Sequence, residues 1–267
     1  MRPKFASNLV TIWLSLAGSL LCNTDAAAQI LNSTNLPTKT KTDAVLSYEG
    51  RLAISVAQEL VQQKKYVEAL KQADNAVRAD PKSGTPHMVR AFILDKLGES
   101  KKAGNAFNKA ISLSPNDGYI RYEYANHLCG MKDFAKADEN YLLAAKDGNY
   151  PFPHKAYESA AACSYKAEKM DTSETHARAA LAIQPESAVA LSTMAMLLYS
   201  QSRYFEARAF IQRREALGPL DITLLELAYK IEKAAGDDRA AAQYQKQLDL
   251  MSQAQIQPPT GEGQKKP

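Results

Sequence analysis

The side chains able to do chemistry are few and scattered. The four histidines stand at 87, 127, 154 and 176, and the three cysteines at 22, 129 and 163. No His-Glu-x-x-His pair, paired metal-ligand spacing, Gly-x-Ser-x-Gly elbow, phosphate loop or dinucleotide fingerprint occurs, so no recognised catalytic or metal motif is present. His127 and His154 lie near cysteines, which invites a Cys–His nucleophile or a zinc site. Two cysteines with dispersed histidines are thin support for either. The carboxylates are distributed over stretches that read as solvated helical faces. The expectation is therefore no enzyme, no metal and no cofactor, and a chain that works by binding.

Composition narrows the binding class. The 267 residues include 43 alanines and only 12 glycines, with 45% hydrophobic and 23% charged residues. Few glycines argue against a turn-rich β-sandwich, and the apolar content argues against wholesale disorder. The net charge of +4 is spread along the chain without a basic block. A nucleic-acid partner is not expected.

The start has Arg2 and Lys4, an apolar run from Leu9 to Cys22, and small residues ending at Ala28. This reads as an export signal over residues 1–28, the apolar run being shorter than the ~20 residues of a membrane span. Cys22 offers an alternative end as a lipidated cysteine, but Leu21 stands where such signals carry a small residue. Residues 29–43 are polar and read as a flexible leader. Residues 253–267, with three prolines and two glycines, read as a disordered tail.

Between the ends, prolines recur at 81, 115, 151, 185 and 219, with gaps of 34, 36, 34 and 34 residues. Alanine-rich segments precede each of them. A 34-residue period with this grammar resembles the tetratricopeptide repeat, two antiparallel helices per unit. Counting from Gly84, small Ala91, Ala103 and Ala110 allow the helices to approach closely, Phe107 fills the gap between units, and Pro115 stops the second helix. The same register runs through Ala57/Ala69/Ala76, Ala125/Ala137/Ala144, Ala161/Ala177/Ala180 and Ala195/Ala207. A weaker last unit around Ala228 and Tyr244 suits a terminal cap. The fold expected is all-α, a right-handed superhelix of about six repeats over 44–252, with units near 50–83, 84–117, 118–153, 154–187, 188–220 and 221–252.

In such repeats, positions 2, 5, 9 and 12 of each first helix line a concave groove. Here that set includes Met88, Phe92, Tyr119, Tyr122, Asn126, Tyr165, Met196, Tyr199 and Tyr229. Tyrosine gives a large rigid face with a polar tip, suited to a peptide groove. A share of the set packing between neighbouring helices is the competing reading. One asparagine without phased lysines does not make a carboxylate clamp. Cys129 and Cys163 fall on first helices of adjacent repeats, 34 residues apart, so they can form a bridge or remain two buried thiols. An oxidising compartment favours the bridge.

Several separated motifs carry a closer resemblance. They are Tyr124-Ala125-Asn126-His127-Leu128-Cys129, Tyr150-Pro151-Phe152-Pro153 followed by Cys163, Arg208-Ala209-Phe210, Leu224-Leu225-Glu226-Leu227 and Ile231-Glu232-Lys233-Ala234-Ala235-Gly236-Asp237. Together with Ala241-Ala242-Gln243-Tyr244 they resemble the type IV pilus biogenesis and stability family of six-repeat proteins, the PilW and PilF type, over about 80–251. The resemblance implies an exported protein of the periplasm, anchored to the outer membrane where the cysteine is lipidated. It implies support of secretin assembly or localisation, as a pilotin does, or of pilus stability. The partners implied are secretin subunits or other pilus proteins, with membrane contact only through Cys22. Cys129 and Cys163 match the family's cysteine pair. Tyr122 and Glu123 stand where the family has paired asparagines. A general periplasmic repeat adaptor that recruits envelope hydrolases or assembly machinery is the alternative function.

Overall fold

The computed structural model describes residues 46–256. The export segment, Cys22, the leader and the chain beyond 256 lie outside the described residues. Twelve helices and no strand are present among the described residues, an all-α tetratricopeptide-repeat solenoid. The chain divides into two compact units at Pro185/Glu186.

The first unit holds four helix pairs. They are α1 (Tyr48–Gln62) with α2 (Tyr66–Ala79), α3 (Gly84–Lys96) with α4 (Ser100–Leu113), α5 (Gly118–Gly130) with α6 (Phe134–Lys146), and α7 (Pro153–Lys166) with α8 (Met170–Ile183). The second unit holds α9 (Ala188–Ser200), α10 (Tyr204–Glu215), α11 (Ile222–Ala234) and α12 (Asp238–Ile256). The last helix runs to Ile256, past the tail boundary expected at 253, because Ser, Gln and Ala carry no helix breaker before Pro258.

First and second helices of a pair start differently. The first helices α1, α5, α9 and α11 are capped by the side chains of Ser47, Asp117, Ser187 and Asp221, each accepting a first-turn N–H. Such caps satisfy donors that a helix start leaves unpaired. α2, α4, α6, α8 and α10 have no side-chain cap bond. They begin where the preceding helix closes in a Schellman turn. Lys65 N donates to the Leu60 carbonyl and Lys64 N to that of Val61, and the pattern recurs through Asp237 and Gly236 at the end of α11. The turn needs one left-handed residue. It is supplied by Lys64, Gly98, Lys132, Glu168, Ser202 and Gly236, with φ between 58° and 81°.

Alanines explain the close packing. Ala57, Ala69, Ala76, Ala91, Ala103, Ala110, Ala125, Ala137 and Ala144 are all fully buried, as are Ala161, Ala177 and Ala180. Phe107 fills the space between the second and third pairs. In the first unit each first helix also touches the next, α1 with α3, α3 with α5 and α5 with α7. In the second unit, Arg208 of α10 grips the buried Glu232 of α11 in a two-point ion pair. Tyr244 of α12 donates its hydroxyl to Glu215 of α10 at 2.8 Å.

The two extra residues inferred between Pro115 and Pro151 lie in the α6–α7 loop, 147–152. Asp147 there accepts from Gly118 N at 2.8 Å. A side chain on Gly118 would meet the Tyr150 Cβ at 2.6 Å, so glycine permits the loop to lie against α5.

Candidate interaction face

The face formed by the first helices of the first unit carries the polar and aromatic groups of interest. Phe92 on α3 is half-buried, with the Lys96 ammonium 5.0 Å above its ring. Tyr119 and Asn126 on α5 and Tyr165 on α7 are also half-buried. In the second unit Tyr199 and Tyr229 are half-buried, and the Tyr199 ring lies 5.7 Å from Tyr204.

Three expected groove residues are packed inside instead. Met88, Tyr122 and Met196 keep only 7%, 3% and 8% of their surface. For Tyr122 the cause is the longer α6–α7 loop, which brings the Tyr150 ring to 5.8 Å, while Tyr141 approaches to 6.0 Å from α6. The Tyr122 hydroxyl is shared with Ser159 at 3.1 Å. Burial and nearby Glu123 push its pKa up to about 12, so it stays neutral. Met88 and Met196 lie among the apolar residues that close their own helix pairs.

Around Tyr150 the aromatic groups form a continuous series. Its ring meets Tyr119 edge-on at 5.1 Å and Phe152 edge-on at 6.1 Å, and Phe152 meets His154 at 6.4 Å. Edge-to-face geometry favours such contacts beyond simple burial. The Lys155 ammonium lies 4.9 Å over Phe152. Tyr119 and Phe152 thus present half-open rings at the junction of the third and fourth pairs, held from below by Tyr150.

Beneath Asn126 lies a polar set that its sequence position did not single out as a site. Tyr141 donates its hydroxyl to Asn126 Oδ1 at 2.8 Å, and Asn126 Nδ2 donates to Glu123 Oε2 at 3.4 Å. Glu123 is 6% exposed. Its Oε1 and the Tyr150 hydroxyl have no hydrogen-bond partner among the described residues. Burial pushes the Glu123 carboxyl up to about 7, against the opposing pull of Asn126 and Lys96. Burial also raises Tyr150 far above the ordinary phenol range. The signal in the sequence was the acidic residue standing where the resembling family has asparagine.

The remaining candidate chemistry is absorbed by structure. Cys129 of α5 and Cys163 of α7 are joined as a disulfide, with Cα atoms 6.0 Å apart. Relative to the left-handed residue closing each helix, the two sit two positions apart, about 3 Å of helix rise, and the bridge spans that offset. A bonded pair offers no thiolate nucleophile or zinc ligand. His127 Nδ1 donates to the Asp95 carboxylate at 2.8 Å, with its ring 5.3 Å from Phe107. His176 bonds Asp138 at 2.7 Å, and His87 lies 3.3 Å from the Pro81 carbonyl. Among the described residues, no group of three or more His, Cys, Asp or Glu could hold a metal. No described helix is long and apolar enough to cross a membrane.

Repeated antiparallel pairs, buried alanines at fixed register and an open first-helix face define a tetratricopeptide-repeat protein. No protein-family model matches the chain. Within the class, however, its likeness is specific. The chain is 27% identical to PilW, described as a widely conserved type IV pilus biogenesis factor, with a TM-score of 0.70 over 76% of this chain and 94% of that one. It is 24% identical over 173 residues to the type IV pilus assembly protein PilF of Pseudomonas aeruginosa, covering 65% of this chain and 69% of PilF. The solved structure of that PilF shares the fold, with a TM-score of 0.69 at 22% identity over 76% of this chain and 91% of PilF. The chain is PilW/PilF-like.

Proposed function

We propose that this protein is a binding scaffold of type IV pilus biogenesis, working in the periplasm as a pilotin-like factor for secretin assembly or localisation, or in support of pilus stability. The observation that carries the reading is the likeness to PilW, which extends over nearly the whole of that chain. The first-helix face, with Phe92, Tyr119, Asn126 and Tyr165 half-buried along it, supplies rigid aromatic contacts and a side-chain amide. Such a surface suits an extended peptide or a helix of a protein partner. Residues 1–28 act as the export signal, so that the disulfide forms in an oxidising compartment.

Deletion of the gene is the test. The expected result is loss of secretin multimers on a gel, with loss of piliation and twitching. Loss of piliation with intact multimers moves the role to pilus stability. Normal multimers with normal piliation reject the reading. Labelling with a tagged fatty acid decides the fate of Cys22, since an unlabelled protein in a strain that labels other lipoproteins excludes the anchor.

A further inference from the structure

The first-helix face hides one carboxyl that its surroundings do not neutralise. Glu123 lies one turn before Asn126 on α5, with one oxygen bonded only to the Asn126 amide, at 3.4 Å, and the other bonded to nothing among the described residues. Buried polar groups are normally paired, so this one marks a place where packing does not decide the residue. Asn126 is held from its other end by Tyr141, whose hydroxyl donates to Oδ1 at 2.8 Å. The amide is therefore oriented, with its oxygen toward α6 and its nitrogen toward Glu123. An amide nitrogen has two donors, and besides Glu123 the neighbouring Tyr122 hydroxyl also draws on this amide.

We propose that Glu123 is a proton switch beneath the binding face, which sets how Asn126 presents its amide to a partner. This rests on the reading of the first-helix face as the binding surface. An ionised carboxyl only accepts, so it holds the Asn126 N–H groups toward itself. A neutral carboxyl keeps a weaker acceptor and gains an O–H donor that competes for Asn126 Oδ1. The amide is then released from a single orientation. The groups that face Glu123 are identified. α3 brings Lys96 and Asp95, and the latter is already bound to His127 of α5. The α6–α7 loop brings neutral Tyr150, α7 brings Glu158 to Tyr122 and Tyr150, and α6 brings Tyr141 through Asn126. α4 meets this part of α5 through Phe107 and uncharged Asn108. Lys96 is the one cation of the set, and it stands over Phe92. Burial accordingly dominates, and the carboxyl is raised into the neutral range, to about 7.

A partner segment that covers the face without bringing a cation removes more water from Glu123 and favours the proton. Affinity then rises as pH falls from 8 to 6, with a ceiling of tenfold per pH unit for one proton.

The test follows the side-chain amide of Asn126 by NMR in the full-length protein between pH 5 and 9, in wild type and in Glu123→Gln. The switch predicts a titration with a midpoint near 7 in wild type and a flat response in Glu123→Gln, with Tyr141→Phe shifting the amide signals while leaving the titration in place. A flat wild-type response overturns it. Equal titration in wild type and Glu123→Gln also overturns it, since the proton then resides elsewhere. Binding of detergent-solubilised secretin is measured on the same samples at pH 6 and 8. Secretin binding that tightens about tenfold at pH 6 in wild type and not in Glu123→Gln supports the switch. Secretin binding absent at both pH values, with Asn126 still titrating, rejects the secretin reading and upholds the switch.

Discussion

Removing the Cys129–Cys163 bond should lower stability by an amount set mainly by the loop it closes. The bond joins residues 34 apart. In the chain-entropy account, closing a loop of that length costs the unfolded chain about 13 cal/mol/K, or about 4 kcal/mol at 25 °C. That figure is a ceiling, because a reduced chain that keeps residual helix has less entropy to regain. For a protein of this size 1 kcal/mol moves Tm by about 2–4 °C, so loss of the bond should lower Tm by roughly 8–15 °C at most. The effect should also be local. In a repeat array each pair is stabilised by its neighbours, so the amides of α5, α6 and α7 should lose hydrogen-exchange protection before those of α1 and α2. The assay is thermal unfolding followed by circular dichroism, with and without reductant, on wild type and on Cys129→Ala/Cys163→Ala. Alanine suits sites within an alanine-packed helix pair. Wild type in reductant should match the double variant, and the double variant should ignore reductant. Two free thiols by mass spectrometry of unreduced protein would refute the bond itself. A reductant-induced drop equal in wild type and double variant would refute the assignment of the stabilisation to it.

Glu123 also sets a pH dependence of stability. Its carboxyl is raised from 4.5 unfolded to about 7 folded, so folding favours the protonated form. The penalty is absent below pH 4.5, grows as pH rises toward 7 and is complete above it, reaching about 3 kcal/mol. Urea unfolding of Glu123→Gln should show that slope removed, with the variant more stable than wild type at pH 8; equal slopes in the two proteins reject the assignment. Gly84→Ala should destabilise by about 1–3 kcal/mol, because the new Cβ would lie 2.6 Å from Ile120 Cδ1 and 2.8 Å from the Ala110 carbonyl oxygen. Gly98→Ala meets nothing within 4 Å but has φ +77°. It should cost about 1 kcal/mol through the backbone alone, and a neutral result in denaturant titration would refute the left-handed turn.

The repeat was legible because its signals are steric. Alanine where helices touch, phenylalanine between pairs and proline after the second helix are direct consequences of packing. Of the left-handed residues closing the first helices, only Gly98 and Gly236 are of the type that adopts this conformation freely. At Lys64, Lys132, Glu168 and Ser202 the Schellman hydrogen bonds impose the conformation on residues that do not advertise it. The face was read less well, since a repeat position says which way a side chain starts and not what lies over it. Tyr122 starts toward the face, but the two extra residues of the α6–α7 loop lay Tyr150 against it. Glu123 was visible as a departure from the resembling family. Its burial, its single weak bond and its orientation of Asn126 arise from α3, α6 and the loop together, which no local pattern encodes.

The departures from repeat regularity are not spread evenly, and their placement is an argument about function. Natural sequences agree with their fold at most levels and break that agreement chiefly where binding or chemistry requires it. Here several breaks meet at the third pair, although Ser83 and Glu99 at the second pair also carry buried oxygens without a hydrogen bond among the described residues. The third pair carries Glu123, with one oxygen lacking a partner among the described residues, the following loop carries the two-residue extension and the Tyr150 hydroxyl in the same condition, and the disulfide fastens the same pair to the fourth. A covalent tie beside an unsatisfied carboxyl is a consistent combination. By lowering the entropy of the unfolded chain the bond offsets less favourable packing nearby, so the junction tolerates a side chain that an ordinary repeat would exclude. A site so held is rigid in its backbone and adjustable in its polar groups, which suits the binding face proposed above. On the function proposed above, substitutions on the Tyr119, Asn126 and Phe152 surface should impair partner binding by more than their loss of stability accounts for, whereas matching substitutions on the first pair should not; equal effects at both places in a pull-down of solubilised secretin would reject the third-pair junction as the centre of recognition.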